Sequence, residues 1–157
     1  MKKLLIALDY NPSAQKVAET GHNLAKAMHS QTTLLHVISD FNYYFSSNYS
    51  PIMGFEGFNN MTELYDAEEL RKAAERYLDN SKKHLNDESI QTIVKTGEFG
   101  ENILSTAMEI NAELIVLGTH SRRGLEKILV GSVAEFVLHN SLIPLFIIPT
   151  RVFQINS

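Results

Sequence analysis

Glu113-Leu114-Ile115-Val116-Leu117, then Gly118-Thr119-His120-Ser121-Arg122-Arg123-Gly124, then Gly131-Ser132-Val133-Ala134-Glu135 is the stretch on which the fold turns. Its first part is apolar without alternation, as in a parallel strand covered on both faces. Its middle is a glycine-punctuated loop. Its last part opens a helix: Ser132 and Glu135 have capping-box spacing, in which each side chain caps the other's backbone N–H. That helix is expected to end near His139-Asn140, before Pro144.

Working outward, four more short apolar runs have the same character: Leu4 to Leu8, Thr33 to Ile38, Ile90 to Val94 and Ile143 to Ile148. Helical patterns separate them. From Pro12 to His29, residues Ala14, Val17, Ala18, Gly21, Leu24, Ala25 and Met28 recur at the spacing of one helix face. Asn11 followed by Pro12 reads there as N-cap and first helical residue. Leu70, Ala73, Ala74, Tyr77, Leu78 and Leu85 form a second stripe, and Ile103, Leu104, Ala107 and Ile110 a third. Strands alternating with helices mean an α/β fold. Right-handed crossovers then put helices on both faces of an open parallel five-stranded sheet, giving three layers.

The length of 157 residues suits a single domain, 1–157, with no internal repeat or linker. Hydrophobic residues make up 44% and charged residues 20%, which argues against disorder. With no cysteine, disulfides, thiol chemistry and Cys-based zinc sites are excluded, and a reducing cytoplasm is the expected location. A net charge of −4 lacks the basic excess that nonspecific nucleic-acid binding needs. No membrane span is expected. The opening run stops at Asp9, short of the ~7–15 apolar residues of a signal-peptide core. Half of the phenylalanines and tyrosines crowd into residues 41–61, expected to be a flexible aromatic loop. Two readings of that loop stand: its rings pack on the domain, or it forms a lid or interaction surface.

In such sheets ligands sit beyond the carboxyl ends of the strands. The first strand ends at Asp9, which suits a base, a Mg2+ ion held with phosphate, or an Asx-type cap for the following helix. After the fourth strand, Gly118 allows a sharp turn and close ligand approach. Gly131-Ser132-Val133 opens a helix whose free N–H groups attract phosphate. Arg122 and Arg123 add positive charge, and His120 lies in the same loop. The same residues also serve a plain turn, an N-cap and a solvated surface, so the spacing leaves both readings open. A dinucleotide glycine fingerprint, a P-loop, a nucleophile elbow and a His-Glu-x-x-His motif are all missing. The other histidines, including His22, His29 and His36, read as ordinary surface or core residues.

These segments, together with Ile6-Ala7-Leu8-Asp9, Leu35-His36-Val37 and Ile143-Pro144-Leu145-Phe146-Ile147-Ile148, closely resemble the universal stress protein family over almost the whole chain. The resemblance implies a Rossmann-like sheet of the adenine nucleotide alpha hydrolase type, in strand order 3-2-1-4-5. The nucleotide-binding branch carries Gly-x2-Gly-x9-Gly-Ser/Thr. Gly118, Gly131 and Ser132 match it, while Ser121 replaces the middle glycine. If that glycine serves a left-handed backbone, serine costs roughly 1–2 kcal/mol, about tenfold in affinity.

By the same resemblance, Ala7, Leu8, Asp9 and Val37 would surround adenine or ribose. Leu117, Gly118, Ser121, Gly131, Ser132 and Val133 would meet ribose and phosphates, with His120 and Arg122 as further contacts. The implied ligand is ATP or AMP with Mg2+ on its phosphates, Asp9 touching the metal only indirectly. The implied role is a stress sensor or regulator, not an enzyme beyond slow ATP hydrolysis, and the implied assembly is a homodimer through the edge strand 143–149. The competing reading is a nucleotide-independent dimeric interaction protein of the universal stress protein A type. An adenylate-using enzyme is disfavoured because no Ser-Gly-Gly-type loop follows the first strand.

Overall fold

The computed structural model describes residues 1–39, 67–119 and 131–150. Its elements run β1 (Lys3–Ala7), α1 (Ala14–Ala27), β2 (Gln31–Ile38), α2 (Ala67–Leu85), β3 (Gln91–Thr96), α3 (Phe99–Glu109), β4 (Leu114–Gly118), α4 (Ser132–Asn140) and β5 (Leu145–Ile148). All pairings are parallel, in the order β3-β2-β1-β4-β5. The expected α/β architecture and strand order are both borne out. Leu5 sits at the centre of the register, opposite Thr33 on β2 and Ile115 on β4.

The unbroken apolar runs follow from the two layers of helix. Leu4, Ile6, Leu34 and Val116 pack toward α1 and α2, against Val17, Ala18, Ala74 and Leu78. Leu5, Leu35, Val37, Ile115 and Leu117 pack toward α3 and α4, against Ile103, Ala107, Ala134 and Val137. Alternate side chains of a strand point to opposite faces, so a strand covered twice must be apolar at every position. The two edge strands depart from that expectation. In β3 the fully buried residue is Val94, with Gln91 and Thr92 exposed, and in β5 it is Ile148.

Helix ends differ from their sequence reading. The hydrogen-bonded part of α1 begins at Ala14, and Ser13, rather than Asn11, is its cap residue. Asn11 still supplies the polar closure, because its Oδ1 accepts from both the amide (2.9 Å) and the hydroxyl (2.7 Å) of Ser13. In α4 the capping box does not form. Gly131 is the cap, Ser132 is the first helical residue, and no side-chain cap hydrogen bond is made. Glu135 instead faces His139 one turn on, at 3.7 Å. Met28, read as part of the inward stripe of α1, lies at the helix end and is exposed, while His22 joins the buried face. His29, Asn86 and Asn111 take left-handed φ values of 52°, 55° and 57° just beyond three helices. Ser30 and Ala112 then donate back to Ala25 and Ala107, closing the last turns of α1 and α3.

Candidate functional site

Parallel strands joined by right-handed crossovers bring the ends of β1, β2 and β4 to one edge, and the helix after β4 starts from that edge. Ala7 and Asp9 are half-buried there, and Leu8, Val37 and Leu117 are buried. The three buried residues therefore offer a ligand backbone more than side chain. Gly131 and Val133 are half-buried, and Ser132 is exposed at the start of α4. His120, Ser121 and Arg122, with Arg123 and Gly124, lie outside the described residues, as does the aromatic stretch 41–61.

Asp9 leaves β1 in a fixed conformation. Its Oδ1 accepts from the Asn11 amide at 2.9 Å, an Asx turn that leads into the Asn11–Ser13 closure of α1. Asp9 thus forms an Asx turn ahead of α1 rather than capping it, the cap residue being Ser13.

Beneath Asp9 lies a knot of polar and aromatic side chains that sequence reasoning missed. The His36 Nδ1 stands 2.7 Å from the Leu8 carbonyl, and the Tyr77 hydroxyl donates to the Asp9 carbonyl. The His36 ring packs against Tyr10 and Tyr77, with centroids 4.2 and 5.7 Å away. Burial is the main cause that pushes the His36 pKa below its ordinary value, against the raising effects of the Leu8 carbonyl and Asp9. Burial likewise pushes the Tyr77 phenol up, helped by the negative charge of Asp9. One weak signal was available: a histidine inside an otherwise apolar strand run, at His36.

Gly118 does not take the left-handed backbone of a sharp turn, and its small size serves packing. Among the described glycines the left-handed φ belongs to Gly97, at +130°. At Gly118 a Cβ would stand 2.7 Å from Val17 Cγ2 and 2.9 Å from Thr150 Cγ2. The residue is small so that β4 can pass close to α1. Beyond it, the Thr119 amide donates to the Ile148 carbonyl (3.0 Å), and the Thr150 amide donates to Thr119 Oγ1 (3.1 Å). These bonds tie the mouth of the glycine loop to the end of β5.

At α4 the first-turn N–H groups point toward the carboxyl edge without a side-chain cap from the described residues, and the exposed Ser132 hydroxyl stands beside them. A helix start of this kind carries partial positive charge and suits an anion. Among the described residues no group of three or more His, Asp and Glu side chains could hold a metal ion. No helix among them is long and apolar enough to cross a membrane.

Comparison with known proteins fits this geometry. A family model described as the universal stress protein family matches residues 1–149. The universal stress protein MJ0577 of Methanocaldococcus jannaschii is 27% identical over 155 residues, covering 96% of each chain. A solved structure of MJ0577 superposes with a TM-score of 0.68 at 25% identity, covering 97% of this chain and 98% of that one. Two more distant structures, each 18% identical, share the fold: a universal stress protein in complex with cAMP (TM-score 0.59, covering 96% and 98%) and one from Archaeoglobus fulgidus in complex with dAMP (TM-score 0.60, covering 94% and 98%). With a family model spanning nearly all of its length, the chain belongs to the universal stress protein family.

Proposed function

We propose that the chain binds an adenine nucleotide, ATP or AMP, at the carboxyl edge of its sheet and acts as a sensor or regulator in stress rather than as an efficient catalyst. The observation that carries this reading is the start of α4: among the described residues its N–H groups have no side-chain cap, and they stand at the same edge as Asp9. A phosphate placed there gains the helix-terminal field and the Ser132 hydroxyl. The cAMP and dAMP complexes of distant relatives support adenine as the base. Asp9 would meet ribose or water on a phosphate-bound Mg2+. A cytoplasmic setting accords with the lack of cysteine. The protein pairs with a second copy through 143–149, where Phe146 on edge strand β5 is 38% exposed and neighbouring Leu142 is 94% exposed.

The nucleotide is identified by mass spectrometry of small molecules released from the purified protein. AMP or ATP near one per chain is the expected result. The alternative, a nucleotide-independent dimer, rests on Ser121 in place of the motif glycine and on the exposed apolar side chains near β5. Ser121→Gly separates the two: binding seen only in that variant would assign the natural protein to the nucleotide-independent class.

A further inference from the structure

We propose that His36 and Tyr77 are positioning residues, holding the Leu8 and Asp9 carbonyls from the α2 side and so setting the direction of the Asp9 carboxylate. β1 runs beside β2 as far as the Leu8 amide, which donates to the Leu35 carbonyl at 2.8 Å. The next two carbonyls are then taken by side chains. Leu8 O receives His36 Nδ1 at 2.7 Å, and Asp9 O receives the Tyr77 hydroxyl. Those partners lie 28 and 68 residues away in sequence, so the turn is fixed by the tertiary fold and not only by its own residues. On its other side Asp9 Oδ1 accepts from the Asn11 amide, and Asn11 closes the start of α1. Asp9 is thereby clamped between α2 and α1.

A histidine is needed at 36 for a definite reason. A carbonyl has no proton to give, so Nδ1 must carry the hydrogen of this bond. Nε2 is then an acceptor, and it is buried with no hydrogen-bond partner among the described residues. An orphaned buried acceptor is unfavourable, and an apolar residue of similar size would avoid it. Among the described residues, the gain specific to the imidazole is its bond to Leu8. The Tyr10 and Tyr77 rings, themselves 4.9 Å apart, pack with the imidazole in a three-ring cluster that holds it in that direction.

The consequence for affinity rests on the nucleotide reading above, whereas the consequence for Asp9 does not. The experiment therefore has two readouts: hydrogen exchange of the Asn11 amide in the ligand-free protein, and ATP affinity. Tyr77→Phe removes one donor and keeps the ring. His36→Leu removes the other, and His36→Asn keeps a donor near the Nδ1 position. His22→Asn, on the buried face of α1 beside Thr32 at the start of β2, is the stability control. Tyr77→Phe and His36→Leu are expected to speed Asn11 exchange and weaken ATP binding by about tenfold each, the loss of one well-placed hydrogen bond. His36→Asn should stay within about threefold on both readouts because its donor is retained. His22→Asn should change neither beyond its effect on melting temperature. If Asn11 exchange follows melting temperature alone across the four variants, the positioning role is overturned. If ATP does not bind the wild type while Asn11 exchange still responds as expected, the nucleotide reading fails and the positioning role stands.

Discussion

Gly118 and Val17 stand so close that a Cβ on the glycine would lie 2.7 Å from Val17 Cγ2. This contact sets the distance between β4 and α1, and with it the place where the glycine loop departs. Gly118→Ala should destabilise the protein by about 1–3 kcal/mol, the usual cost of overpacking a dense core. Adding Val17→Ala removes the clashing methyl, so the double variant should lose less than the two single losses together. Urea denaturation of the four proteins checks this; simple additivity would mean that the strain lies elsewhere.

Acid should weaken the fold before its carboxylates protonate. Burial holds the pKa values of His22 and His36 below 6.5. The neutral His22 ring is satisfied at both nitrogens, by Thr32 Oγ1 at 2.9 Å and Asp87 Oδ2 at 3.3 Å. The unfolded chain takes up these protons first as pH falls. Stability is therefore full above about 6.5 and declines as pH falls toward the lower folded values. Asp87, held below its ordinary value mainly by its bonds from Ser89, loses its contribution only at more acidic pH. Urea midpoints at about pH 8 and about pH 5 should differ in this direction, and His22→Asn should narrow the gap. An unchanged gap would remove His22 from the explanation.

Ser132→Asp separates stability from binding. A carboxylate at the first position of α4 complements the helix dipole and should stabilise by about 0.3–1 kcal/mol. The same charge occupies the field proposed for phosphate, so ATP affinity should fall by about tenfold or more. Thermal unfolding and calorimetry on one preparation test both signs. A variant that is stabilised and binds ATP normally would move the phosphate away from α4.

Phe146→Lys should shift the protein toward monomer in sedimentation velocity, since it places a charge on the exposed edge of β5. Unaltered sedimentation of a dimer would exclude β5 as its contact.

Much of the architecture was legible because one rule governs it. Strands under two helical layers are largely apolar on both faces, and the runs 4–7, 34–35 and 114–117 in β1, β2 and β4 are. Cap residues were less legible, because they depend on a single residue's backbone. Gly131 takes an extended conformation with φ −61° and ψ 158°, which starts α4 one residue earlier than the capping box implies. Gly118 looked like a turn residue because a glycine needed for packing and one needed for φ are written alike. The Leu8–His36 and Asp9–Tyr77 bonds were illegible for a different reason: their partners meet only after β2 and α2 have docked on β1.

The most direct test of the central claim is a calorimetric titration of the folded protein with ATP and Mg2+. Saturable heat with one site per chain, weakened by Ser132→Asp and reduced by competing AMP, is the predicted result. No heat at millimolar ATP, from protein shown to be folded and free of co-purified nucleotide, would contradict it.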